Sequence, residues 1–199
     1  MVATGPAPPP ARPSRPLTPS GLPEPPPEGP AAEAMRAAAQ RGSWIHALFE
    51  RLPAVPPDQR EAQALAWLDR QGAGAQAAGI VAQVLAVMAD PAHDALFGPQ
   101  ALAEAPVAGL VDGQAITGIV DRLLIEADRV LVVDFKTGLF VPDSFGGASV
   151  AHRRQMAAYR AVLAQAFPGR RVDVALLYTS GPKFLLGAEK DMEGLLPLD

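Results

Sequence analysis

The chain has 199 residues, enough for one domain with a substantial core. It contains no cysteine, which excludes a thiolate-held zinc or iron–sulfur cluster and any cysteine nucleophile. The formal net charge of −4 argues against a protein that grips DNA unaided, and the missing cysteine fits a reducing cytoplasm, the expected location.

Residues 1–30 hold 12 of the 22 prolines and few large apolar side chains. Such a segment cannot bury enough surface to offset the entropy of ordering it, so 1–30 is expected to be a disordered Pro-rich linker. Its start lacks the apolar core of a signal peptide, and no apolar run in the chain is long enough to span a bilayer. A helix is predicted from Ala31 to Leu52, where Ile45, Leu48, Phe49 and Leu52 recur at helical spacing and Pro53 stops the run. A second helix should start near Asp58, a suitable N-cap, and include Leu65, Trp67 and Leu68. A third covers Ala75 to Met88, with Ile80, Val81, Val84, Leu85 and Met88 as its buried stripe. Trp44, Trp67 and Met88 are expected to pack helices.

Strands follow at Leu102–Leu110, Ala115–Ile125 and Val130–Lys136, the last two joined by a turn at Glu126–Arg129. The run Val130-Leu131-Val132-Val133 is apolar on both faces, so its strand should be central. A Gly-containing loop over 138–149 leads to a helix from Val150 to Phe167, a strand from Val172 to Thr179 and a short edge strand from Lys183 to Leu186. A strand reached through a helix crossover can pair in parallel with the central one. The expected fold class is α/β: a mixed central sheet flanked by helices, with further helices at the N-terminus. The domain should run over 31–190, with 191–199 as a C-terminal tail. The chain has no Gly-x-x-x-x-Gly-Lys-Ser/Thr loop, so no ATP site is expected in it.

Asp121 and Asp134 lie 13 residues apart, in or beside two of these strands, and Lys136 follows the second by two. Alternation along a strand puts Asp134 and Lys136 on one face. Mg²⁺ takes hard oxygen ligands, typically one or two carboxylates with water and substrate phosphate. Asp121 and Asp134 suit that task, the Phe135 carbonyl is a natural further ligand, and Lys136 would orient the attacking water and offset transition-state charge. Mn²⁺ is the alternative ion. The competing reading is a surface ion-pair pattern of Asp121 with Arg122 or Asp134 with Lys136. Between Ala151 and Lys190 there are seven basic residues and two acids, either a solvated helix face or a phosphate-contacting surface that includes Arg153, Arg154 and Arg160.

Three separated motifs then agree. They are Arg41-Gly42-Ser43-Trp44-Ile45-His46-Ala47-Leu48-Phe49-Glu50 with Leu52-Pro53, the Asp121/Asp134/Lys136 core, and Arg154-Gln155-Met156-Ala157-Ala158-Tyr159-Arg160. Together they resemble the RecB-type nuclease domain of the PD-(D/E)XK superfamily, and more narrowly the C-terminal nuclease domain of AddA-type helicase–nuclease subunits of bacterial double-strand-break repair. Ala175-Leu176-Leu177-Tyr178-Thr179 with Gly181-Pro182, and the Pro-rich lead-in, fit the same resemblance. Where that family often has asparagine, this chain has Gly138.

The resemblance implies a restriction-endonuclease-like core and a Mg²⁺-dependent deoxyribonuclease, an exonuclease rather than an endonuclease. It implies DNA as substrate and a helicase or AddB-type subunit as partner. His46 would be a metal ligand beside Asp121 and Asp134. Gln155 and Tyr159, on one helix face at i and i+4, would position the lysine or the DNA, or simply pack the helix. Glu104 is a weaker candidate for a further acid. Glu50 is expected to be solvated, and His93 and His152 are expected at the surface. A stand-alone endonuclease of the same superfamily, and an inactive fragment or interaction module, are the alternative functions.

Overall fold

Two apolar clusters line opposite faces of one five-stranded sheet, and alternation along the central strand feeds both. The structure is a computed structural model and describes residues 30–196. The linker expected over 1–30 lies outside the described residues except for Pro30. The elements run α1 Pro30–Arg51, α2 Arg60–Arg70, α3 Ala77–Met88, α4 Asp94–Phe97, β1 Ala101–Val111, β2 Gln114–Ile125, β3 Arg129–Lys136, α5 Val150–Ala166, β4 Arg171–Tyr178 and β5 Lys183–Leu186. The sheet order is β1-β2-β3-β4-β5. β3 and β4 are parallel and the other pairs antiparallel, as a meander followed by a helix crossover requires.

In β3, Val130 and Val132 join the core under α5, while Leu131, Val133 and Phe135 join the core under α1, α2 and α3. The strand is therefore central and buried on both sides, as its unbroken apolar run implies. Asp134 and Lys136 continue the α5 face, and Phe135 the α1 face. Among the described residues no single helix is long and apolar enough to cross a membrane.

Several local expectations are corrected. Asp58 does not cap α2. It sits in a 3-10 turn over Pro57–Gln59 that makes no side-chain cap, and Arg60 closes the connection by donating to the Leu52 and Val55 carbonyls. His93 is a core residue, 3% exposed. Its Nδ1 stands 3.0 Å from the Val87 carbonyl, which can only accept, so Nδ1 carries the proton. The segment expected as a tail from 191 begins inside the packed structure. Met192 is buried, Leu195 and Leu196 pack against the core, and Arg153 donates to the Asp191 carbonyl at 3.0 Å.

Candidate active site

The site forms where the C-terminal end of β3 meets α1, β1, β2 and α5. Alternation along β2 fails near Asp121: Val120 and Leu123, three residues apart, both enter the core under α5. The β1–β2 ladder steps from Ala103–Arg122 to Ala105–Val120 and skips the facing residues Glu104 and Asp121. Glu104 has φ +47°, the left-handed region that non-glycine residues rarely adopt. This irregularity brings Glu104 and Asp121 together with a helix residue that a regular strand would not meet.

That residue is His46. Its Nδ1 lies 3.0 Å from Asp121 Oδ1, and Asp121 Oδ2 accepts the Phe135 N–H at 2.5 Å. Ligand atoms of His46, Glu104 and Asp121 all fall within 4.8 Å of one another. An imidazole and two carboxylates at that spacing are a donor set that fits a divalent cation. The approach of α1 depends on Gly42, since a Cβ there would stand 2.8 Å from Thr137 Oγ1. His46 also meets the edge of Phe135, 5.9 Å between centroids, and Phe135 lies tilted against Phe49 and stacks on Phe97.

The electrostatics reflect this crowding of acids. Burial works to lower the His46 pKa, but the hydrogen bond and charge of Asp121, with Asp134 and Glu104 behind it, leave it raised. Glu104 is raised by burial and then by the charge of Asp121. Asp134 is raised by burial, with Lys136 opposing and Asp121 reinforcing the shift. Arg122 is the fixed counter-charge. It is buried beneath the acids, donates from Nη2 to the Phe49 carbonyl and lies over the Phe97 ring, while its Nε makes no hydrogen bond.

Asp134 stands outside the group of three. Its Oδ2 is 2.6 Å from Lys136 Nζ, which also donates to Gln155 Oε1 at 2.9 Å. Gln155 Nε2 lies 3.4 Å from the Tyr159 hydroxyl, and that hydroxyl donates to the Ile119 carbonyl at 3.0 Å. The chain of contacts therefore runs from Lys136 through α5 to β2, two residues from Asp121. Gly118 makes it fit: a Cβ there would stand 2.7 Å from the Tyr159 hydroxyl oxygen. A glycine inside a strand signals such close approach, and reading the sequence alone passes over it.

A second network backs the Lys136 main chain. Arg41 donates to Gln83, Gln83 donates to Thr179 Oγ1 at 2.8 Å, and Thr179 N–H donates to the Lys136 carbonyl at 2.9 Å. Gln83 carries no sequence signal, because only the fold brings it to Thr179. His152, expected at the surface, is half-buried on the α5 side with Nδ1 3.4 Å from the Tyr178 hydroxyl. Burial and then the Lys136 charge push its pKa down to about 4. Arg153 does not present a free guanidinium: it donates to the Ala148 and Asp191 carbonyls. Arg154 has a buried Nε without a hydrogen-bond partner, and Arg160 is engaged by the Val172 carbonyl and Glu189. Glu50 is exposed, as expected.

Comparison with known proteins bears on the fold and the family. No curated protein sequence matches the chain. A crystal structure of a protein described as a candidate exonuclease from Eubacterium rectale aligns with TM-score 0.52 at 14% identity. The match covers 80% of this chain and 62% of that one, so this chain spans less than two-thirds of that protein's length. The structure of SSO0001 aligns at TM-score 0.35 and 14% identity, over 77% of this chain and 78% of its own, which is too distant to carry an argument. The sequence pattern of the PD-(D/E)XK nuclease superfamily matches residues 20–190, which include the first helix, the acidic strands and α5. The chain belongs to the PD-(D/E)XK nuclease superfamily.

Proposed function

We propose that the chain is a Mg²⁺-dependent DNA exonuclease domain that trims broken ends in double-strand-break repair, working with a helicase subunit. The observation that carries this reading is the placing of the His46, Glu104 and Asp121 ligand atoms within 4.8 Å of one another, beside the Asp134–Lys136 pair at 2.6 Å. His46, Glu104, Asp121 and Asp134, with the Phe135 carbonyl, would hold the cation. When bound, it would acidify a water and draw charge from the scissile phosphate.

The chain's own residues supply the rest. Lys136 has three N–H donors, and Asp134 and Gln155 fix its ammonium in place. A donor remains for the phosphate or the attacking water, where it offsets charge that develops in the transition state. Gln155 and Tyr159 hold that geometry through the Ile119 carbonyl, and Arg122 balances the acids from beneath. The resemblance to the E. rectale fold supports an exonuclease, and the motif agreement with AddA-type domains supports the helicase partnership. A net charge of −4 fits a domain to which a motor delivers the strand.

The test is cleavage of linear against covalently closed circular DNA, with and without chelator. Metal-dependent loss of linear DNA with intact circles supports the reading. Cutting of closed circles would establish an endonuclease instead.

A further inference from the structure

Lys136 has a second neighbourhood, on the side away from His46. A cavity of about 540 Å³ opens there, lined by Lys136, Thr137, Ser149, His152, Tyr178 and the loop residues Leu139 and Phe140. Its size lies within the range of about 300–1,000 Å³ usual for small-ligand sites. Its lining combines polar side chains with two exposed apolar ones: Leu139 is 91% and Phe140 76% exposed.

These two side chains are not the tip of a loose loop. Ser180 Oγ donates to the Gly138 carbonyl at 2.6 Å just before them. Just after them, Val141 packs against the core and Pro142 and Phe145 are buried. The segment thus packs Val141, Pro142 and Phe145 inward and leaves Leu139 and Phe140, three and four residues after the lysine, in water. An exposed aromatic ring beside a fixed ammonium and neutral hydrogen-bonding groups matches one kind of partner. The phosphate goes to the lysine, the polar edge of a base to His152 and Tyr178, and its face to the ring.

Resting on the nuclease reading above, we propose that this cavity receives an unpaired nucleobase adjoining the phosphate at Lys136, with Phe140 as its stacking surface and Leu139 as its apolar neighbour. The substrate at the site is then a single strand or a frayed end, because a base inside a duplex has both faces covered by its stacked neighbours. Every base has such a face, so the contact carries no sequence preference.

The test uses the full chain carrying Asp134→Asn, with chelator, so that the strand is not cut. Phe140→Trp is added as a fluorescent reporter, read against the same chain with Phe140. Titration with a single-stranded oligonucleotide should quench the added tryptophan to saturation. An abasic oligonucleotide of equal length should quench little. Phe140→Ala should bind the normal oligonucleotide roughly tenfold more weakly, Phe140→Tyr should bind it like the parent, and Phe140→Ala should discriminate little between normal and abasic strands. Equal quenching by normal and abasic strands, or binding without quenching, would overturn the proposal. So would loss of self-association, seen by sedimentation, in place of loss of DNA affinity on Phe140→Ala. Cleavage by the unmodified chain is measured separately. Cleavage without quenching defeats only the base site, and quenching without metal-dependent cleavage defeats the nuclease reading.

Discussion

Asp121 accepts the backbone N–H of Phe135 at 2.5 Å, so the acid of one strand is pinned to the strand that carries the other. Its second oxygen faces His46 on α1 at 3.0 Å. One carboxylate thus ties β2 to β3 and both to the first helix. A cation bound there would be held by elements distant in the chain, and its affinity would report on the fold as well as on the ligands. Asp121→Asn should therefore weaken metal binding by well over tenfold and also lower the melting temperature, as calorimetric titration and thermal unfolding would show.

Lys136→Ala should abolish cleavage, by about 10²-fold or more, with the fold intact. The buried Asp134 loses its ion pair in this variant, and burial already favours its neutral form. Circular dichroism and a single-turnover assay check the two halves of the statement.

His46→Ala should raise the Mg²⁺ concentration needed for half-maximal activity. The pH dependence has a definite sign. A cation must displace the proton from the imidazole, whose pKa is raised, so apparent metal affinity should fall as pH drops through that raised value, starting above the ordinary 6.5. Without metal the linkage is opposite. The raised folded-state pKa stabilises the chain fully below 6.5, and this contribution is lost as pH rises through the folded value. Melting curves against pH, with and without metal, should diverge in parent protein, and the part of that divergence above 6.5 should be lost in His46→Ala.

Gly118→Ala should displace Tyr159 and loosen Gln155 and Lys136 without touching any metal ligand. Forcing a methyl into this contact should destabilise by about 1–3 kcal/mol. kcat should fall while metal affinity stays unchanged. A Gly118→Ala enzyme with parental kcat would show that the Tyr159 chain is packing alone.

Deleting residues 191–199 should lower the melting temperature by several degrees. Met192 is buried, and burying such a side chain is worth about 1.5–3 kcal/mol. The deletion also leaves Arg153 without the Asp191 carbonyl. An unchanged melting temperature would restore the view of this segment as a tail.

How much of this was legible in the sequence depended on the range of the interaction. The strands and long helices follow from local period, and their ends agree within two residues, the uncertainty of any helix or strand end. β3 was readable as central because apolarity on both faces needs no knowledge of neighbours. The closeness of His46 to Asp121 followed from resemblance and not from pattern, since a histidine at helical spacing has no preferred partner 75 residues away. Glu104 was undervalued because its placing depends on a strand irregularity and a positive φ that no residue type announces. His93 and His152 were misread for the same reason. Their burial comes from the Val87 carbonyl in one case, and from Tyr178 and the loop after β3 in the other. The Arg153 clamp and the packing of Met192 were hidden because a charged, short segment after β5 looks like a solvated end.

The most direct test is degradation of end-labelled linear DNA by the full chain with Mg²⁺, with chelator, and by the Asp134→Ala variant. Loss of label should require the metal and vanish in the variant. Cleavage that persists with chelator, or at parental rate in Asp134→Ala, would show that the chain does not cut through a metal held at this site.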